Sequence, residues 1–391
     1  MSTSNSSRRL LALYALLAGS VALPQAGLLA QETALDPANS VKIDLPADSP
    51  LALISTSMGE SRAIARGGAM VLDLHMSLTL RNAGFRRVRG IVLLVTAQEF
   101  APGGKGSIAR RSIDVLPSQE FTVPVELRLV RPVQQSGGPL VRVQLDGVLF
   151  DDLSFFGPNK LNSQRALTFW ETEAQRDRAY FKKVLQAKGE KGLRDEMVAS
   201  MAKQAERPQL DVAMSRNGRT VGAIAPTPEH VAQFAFLKIP GAPVQPLQGW
   251  AEVSANEARA PQIEVINQSA KPVRYVEIGW VVKYKDGHEY LAGSVPGSSA
   301  AMLIPAGQHS RLLPDTALKF SRTGKPVEIA GMTGFVSQVE FADGKVWVPS
   351  REELNASPLL RVIAPSVEEQ RLADIYSKKG IGALTAELNR F

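Results

Sequence analysis

The chain has no cysteine among its 391 residues, only four histidines, and no long apolar run beyond its first thirty residues. Without cysteine there is no disulfide to staple a small core, and no N-terminal cysteine to carry a lipid anchor. Stability must therefore come from packed interiors. The histidines show no ligand spacing: His75 falls on the polar face of an expected strand, His288 in the turn KDGHEY, His309 in the loop PAGQHS, and His230 ahead of VAQFAFLKI. No metal and no cofactor is expected. Catalytic motifs are missing as well. There is no G-x-S-x-G elbow, no P-loop and no dinucleotide fingerprint. GGKG at 103–106 lies between strands instead of between a strand and a helix, so it reads as an exposed turn. Glu99, Glu277 and Glu340 are acids that nothing in the sequence sets in pairs across a cleft. No catalytic residue is assigned, and the chain is read as non-enzymatic.

The one apolar run, LLALYALLAGSVAL from Leu10 to Leu23, follows Arg8 and Arg9 and precedes small and turn-forming residues. That order is the grammar of a secretory signal. The run is shorter than the roughly 20 residues of a membrane-spanning helix. The expectation is an exported protein, periplasmic or extracellular, cleaved after Ala22 or Ala30, with no transmembrane segment in the mature chain. SRRLL meets a twin-arginine export pattern only in part, which favours ordinary secretion. Removing Arg8 and Arg9 takes the net charge from +7 to +5, because the leader has no acid. A modest positive excess biases toward anionic partners, with no sign of specific nucleic-acid binding.

Period-2 alternation opens the mature part. In MVLDLHMSLTL, Leu72, Leu74, Met76, Leu78 and Leu80 fall on one face and Asp73, His75, Ser77 and Thr79 on the other, which predicts a half-buried strand. VRGIVLLVTAQ, FTVPVELRLV, LVRVQLDG and VLFDDLSFF follow, separated by Gly, Pro, Asn and Ser clusters. Many short strands without intervening helices predict an antiparallel sandwich. The series then recurs. LRNAGFRRVRGIVLLV lines up with VINQSAKPVRYVEIGWVV, with Asn82 on Asn267 and Val88-Arg89 on Val273-Arg274 at an offset of 185. With one residue gapped, Gly147 is matched to Gly334 and Phe155 to Phe341. EAQRDRAYFKK at 173 matches EEQRLADIYSKK at 368, and each precedes a glycine that opens a second short helix.

Those helices show apolar stripes: Leu167, Trp170, Ala174, Phe181 and Val184, then Leu193, Met197 and Met201; later Leu372, Ile375 and Tyr376, then Ile381, Leu384, Leu388 and Phe391. They are expected to dock on the neighbouring sandwiches. Ser366 and Glu369 stand in capping-box register. The predicted fold is mainly β with α: two immunoglobulin-like antiparallel β-sandwiches, each followed by a short helix pair, related by internal duplication. The expected divisions are a signal peptide 1–30, a linker 31–47, a first sandwich 48–160, a helix pair 161–206, a linker 207–230 with a short strand at LDVAM, a second sandwich 231–355 and a helix pair 356–391.

In its repeated sandwiches and missing catalytic motifs, the chain over residues 48–391 resembles exported bacterial proteins with tandem immunoglobulin-like β-sandwich domains. The resemblance is one of architecture and carries no diagnostic motif. It implies a binding or scaffolding role in the envelope or periplasm and transfers no functional residue. Alternatives are a periplasmic chaperone-like module that offers a strand edge, and a carbohydrate-binding or carbohydrate-acting protein.

Three clusters remain as sites. Asp146, Asp151 and Asp152 miss the alternating ligand pattern of a calcium loop, and they read as structural. Trp280 and Trp347 lie in strands; core packing is the plain reading and a carbohydrate platform the functional one. Between Arg81 and Arg142 there are ten basic residues against four acidic ones. Arg86, Arg87, Arg89, Arg110 and Arg111 are therefore the expected anion-facing surface, toward an anionic envelope component or a protein partner.

Overall fold

The computed structural model describes residues 32–391 except 101, 134–137, 206–210, 217–229, 286, 298–301, 314–315 and 357–364. The expected signal peptide lies outside the described residues, as does most of the expected 207–230 linker. The chain is mainly β, with four sheets among the described residues and few helices. No described helix is long and apolar enough to cross a membrane.

In the first half, the alternating strand Ala69–Asn82 is the spine of one sheet. Glu120–Pro132 pairs along one side of it, Arg62–Arg66 and Leu51–Ser57 succeed each other along the other, and Glu32–Ala34 lies outside Arg62–Arg66. The second sheet centres on Val88–Thr96, between Lys105–Arg110 and Val141–Phe150. Val141–Phe150 also takes Val41–Asp44 in parallel and Phe155–Phe156 antiparallel. Residues 31–47 are thus not a simple linker: two segments of three and four residues join the two sheets. Pieces that short have no period to read. Leu72 to Leu80 from one sheet and Val88, Ile91, Leu93, Val143 and Phe150 from the other share one core. Val88–Thr96 is apolar without alternation because its outer face is covered too, where Val92 and Leu149 pack under Leu167.

The second half also has two sheets, of seven and five strands. Glu257–Asn267 pairs with Val244–Ser254 on one side and with His309–Leu312 and Thr316–Arg322 on the other; His230–Gln233 and Asp211–Arg216 flank it. The expected LDVAM strand is Asp211–Arg216. In the facing sheet, Val273–Tyr284 lies between Glu289–Pro296 and Ile329–Phe341, and Ile329–Phe341 takes Ala235–Phe236 in parallel and Val346–Trp347 antiparallel.

Asn82 and Asn267 occupy like positions. Asn82 Nδ2 donates to the carbonyls of Arg86 and Val115, and Asn267 Nδ2 to those of Lys271 and Ile304. Each Oδ1 accepts the backbone N–H two residues on, from Gly84 and Ser269. Val88 bridges Val115 as Val273 bridges Ile304. One expected register fails. Val88 pairs with Phe150 and Val273 with Phe341, so Phe341 matches Phe150, not Phe155, and Gly147 falls opposite Gln338, not Gly334. The repeated Gly and Phe drew the string comparison to the wrong rung, whereas the hydrogen-bonded ladder fixes an offset of 191.

The helical segment Ser163–Ala205 is broken at Gly189 (φ 66°, ψ −170°), and Val367–Asn389 at Gly380 (φ 79°, ψ −177°). Leu167 and Trp170 dock on the first sandwich. The later stripe does not dock on the second: Leu372, Leu384 and Leu388 pack against Phe181, Leu193 and Met197. Periodicity identifies an apolar face and leaves its partner open.

Candidate functional site

The arginine-rich turn lies at the junction where the two helical segments meet the first sandwich. Arg89, in strand Val88–Thr96, is 6% exposed. Its Nη1 donates to Asp114 at 2.8 Å, and its Nε lies 3.8 Å from Glu171. Glu171 accepts from Arg178, which reaches Glu368 at 3.4 Å. Glu368 holds Arg371 at 2.7 Å, Arg371 holds Glu387 at 2.6 Å, and Glu387 holds Arg390 at 3.1 Å. Arg390 closes on Asp114 at 2.9 Å. Four acids and four arginines thus alternate in a closed ring that spans the first sandwich and both helical segments. The ring of Phe391 is clasped between the guanidinium groups of Arg89 and Arg178, 4.5 and 4.3 Å from its centre. A cavity of about 530 Å³ opens beside it, bordered by Arg87, Lys182 and Asp151 among others.

Alternation gives each buried charge two opposite neighbours, which offsets part of the several kcal/mol that desolvation costs each ion. The balance differs around the ring. Burial lifts the Glu171 carboxyl above its usual range against the pull of Arg178 and Arg89. Burial also lowers Arg89, despite Glu171 and Asp114. At Arg371, burial acts downward, but Glu368 and Glu387 outweigh it and hold the guanidinium above its ordinary value. A second buried knot lies nearby: Asp177 accepts from Arg176 at 2.8 Å and from Ser366 at 2.5 Å, and Arg351 pairs with Glu369 at 2.8 Å.

The expected anion-facing residues are therefore split. Arg89 is a buried member of the ring, not a surface group. Arg87 lies 3.4 Å from Asp114. Arg86 donates to Ser154, lies 3.6 Å from Asp152 and covers the Phe150 ring at 4.0 Å. Arg110 is exposed, with no ion pair among the described residues. Arg111 stacks over Trp170 at 4.7 Å. Counting charges along the sequence missed the ring because its acids come from positions 114, 171, 368 and 387. The Glu-Glu-Gln-Arg string at 368, which carries Glu368 and Arg371, was the nearest signal.

Trp280 is 0% exposed, edge-on to Phe234 at 4.9 Å, so it offers no carbohydrate platform. A strand buried on both faces consumes its largest side chain as core. Trp347 is half-buried between two apolar clusters of the second half. Asp146 is buried and accepts from Lys160 N at 2.8 Å, Leu161 N at 3.1 Å and Ser163 Oγ. It fixes the entry to the first helix, while Asp152 accepts from Ser154 N at 2.9 Å. Among the described residues, no three His, Asp or Glu are grouped to hold a metal ion.

No family model matches the chain, and no curated protein matches it. A solved structure to which it is weakly similar is a transglutaminase of red sea bream, 10% identical, with a TM-score of 0.13. The alignment covers 74% of this chain and 31% of that one, so the chain spans about a third of the transglutaminase. A likeness that low carries no argument about fold or activity.

Proposed function

We propose that the protein is an exported, non-enzymatic binding or scaffolding protein of the cell envelope or periplasm, built from two immunoglobulin-like sandwiches related by duplication. Strand pairing supports the sandwich type. Taking Leu51–Arg66 and Val244–Ser254 as first strands, the first, second and fifth strands of each half share one sheet and the third, fourth, sixth and seventh share the other, the order A-B-E against C′-C-F-G. The matched asparagines, bridges and helix-breaking glycines support duplication.

The observation that carries the scaffolding role is the closed ring. Its buried charges are spent on one another and hold the sandwich-and-helix units in a fixed arrangement, a use suited to presenting a surface. Anionic partners would meet what remains outside: exposed Arg110, and Arg87 and Lys182 at the cavity rim. A chaperone-like role has one favouring observation, the open edge strand Leu51–Ser57, with Leu53 39% and Ile54 42% exposed.

Titrating the purified mature chain with lipopolysaccharide at about 0.05 and 0.5 M salt tests the anionic partner, since solvated charges are screened within a Debye length. Weak binding that disappears at high salt and drops in an Arg87→Ser, Arg110→Ser double variant is expected. Binding indifferent to both salt and substitution would point to the apolar edge instead. Cell fractionation with N-terminal sequencing tests export; cytoplasmic material retaining Leu10–Leu23 would overturn it.

A further inference from the structure

A second cavity, about 350 Å³, lies where the first helical segment meets the second half. It lies beside a difference between the halves. The first helix runs unbroken from Ser163 to Gly189. At an offset of 191 the second half has a short helix, Arg351–Ala356, and a separate one that starts at Val367 behind Pro365 and the cap Ser366. The cavity is walled by Phe169, Trp170, Phe335 and Leu354 among others.

Two groups of opposite charge face this space without pairing with each other. Arg111, at the end of strand Lys105–Arg110, lies over Trp170 and has no ion pair among the described residues. Glu173, on the helix, has no hydrogen bond among the described residues. Its nearest cation, Arg176, is 3.8 Å away and already committed to Asp177 by two hydrogen bonds and to the Pro349 carbonyl at 3.2 Å. A simple anion placed here would meet Glu173, and a simple cation would meet Arg111. A neutral apolar molecule would strip water from both charges and return nothing.

We propose that this cavity binds a small zwitterion of the amino-acid class, its carboxylate on Arg111, its ammonium on Glu173 and an apolar side chain between Phe169, Trp170 and Phe335. The volume is at the lower end for ligand pockets, which suits one such molecule. Ser294, Ser337 and Gln370 also border the space and add hydrogen-bonding capacity. Burial raises the Glu173 carboxyl to about 7; Arg176 and Arg111 oppose the shift, and Asp177 and Glu277 add to it. An ammonium beside Glu173 adds an opposite charge to those of Arg176 and Arg111, so binding pulls the carboxyl into its ionised form.

Calorimetric titration of the full mature chain with L-phenylalanine tests this, with 3-phenylpropionate and 2-phenylethylamine as ligands that each lack one charge. L-phenylalanine should bind, each analogue about tenfold or more weakly, as expected for loss of one charge-assisted contact. Affinity should rise between about pH 6 and pH 8, because Glu173 must lose its proton to accept the ammonium. Arg111→Gln and Glu173→Gln should each weaken binding at least about tenfold. Because Arg111 is exposed, its variant serves even if Glu173→Gln folds poorly. No heat with L-phenylalanine, analogues that bind equally well, or variants that bind as the parent does would each overturn the proposal.

Discussion

Asn82 and Asn267 each tie a strand end to a distant loop through a fully buried amide. Removing either side chain leaves several backbone groups unsatisfied inside a core, so Asn82→Ala and Asn267→Ala should each cost about 2–3 kcal/mol. Urea denaturation measures this, and two costs that differ by more than about twofold would argue against equivalent roles. The pair was visible in the sequence because an asparagine in the same place beside a repeated Val-Arg is conspicuous. Arg89 was not separable from Arg86 and Arg87 in the same way. What makes it a buried ring member is Glu171, eighty-two positions further on, and Phe391 at the far end of the chain.

At the scale of elements, the two glycine breaks are the informative pair. A positive φ with ψ near 180° is open essentially to glycine alone. At both sites an added Cβ would meet no atom within 4 Å, so a substitution there reports backbone strain and not crowding. Gly189→Ala and Gly380→Ala should each destabilise by about 1–3 kcal/mol. Circular dichroism with thermal melting checks this; unchanged melting would mean that the breaks relax into continuous helix. The sequence disclosed both breaks, and it misled on the register before them. Matching EAQR to EEQR aligns the helices at an offset of 195, whereas the glycines, Phe181 with Leu372, and Leu193 with Leu384 give 191. Four residues is about one helical turn, so the string match preserved the apolar face while moving every contact along it.

Across the whole molecule, the ring ties the first sheet pair to both helical segments, beside the apolar contact of the helices and the buried Asp177–Ser366 and Arg351–Glu369 pairs. Glu368 is the best place to cut it, being buried between Arg178 and Arg371. Glu368→Gln takes one of two acid partners from each of Arg178 and Arg371, which keep Glu171 and Glu387, and should cost about 1–3 kcal/mol. Calorimetry should show one cooperative transition for the parent chain and two for the variant, with little effect of salt, since buried pairs are weakly screened. A single unshifted transition in the variant would show that the apolar cluster and the Asp177–Ser366 and Arg351–Glu369 pairs suffice to join the halves. The overall β character, the strand series and the helix positions were legible because each leaves a local period. The junction was not, because a charge network assembled from four separate regions leaves none.

The contact between Asp114 and Arg390 joins residues 276 positions apart, and it sets an order of assembly. During synthesis the first sandwich can fold as soon as its strands are made. Arg89 and Asp114 then wait as a half-built socket until Glu368, Arg371, Glu387 and Arg390 exist. The socket is therefore closed only once Arg390 has been made. Until then Asp114 has only Arg87 and Arg89 as partners, and afterwards the same carboxylate fastens the first half to the end of helix Val367–Asn389.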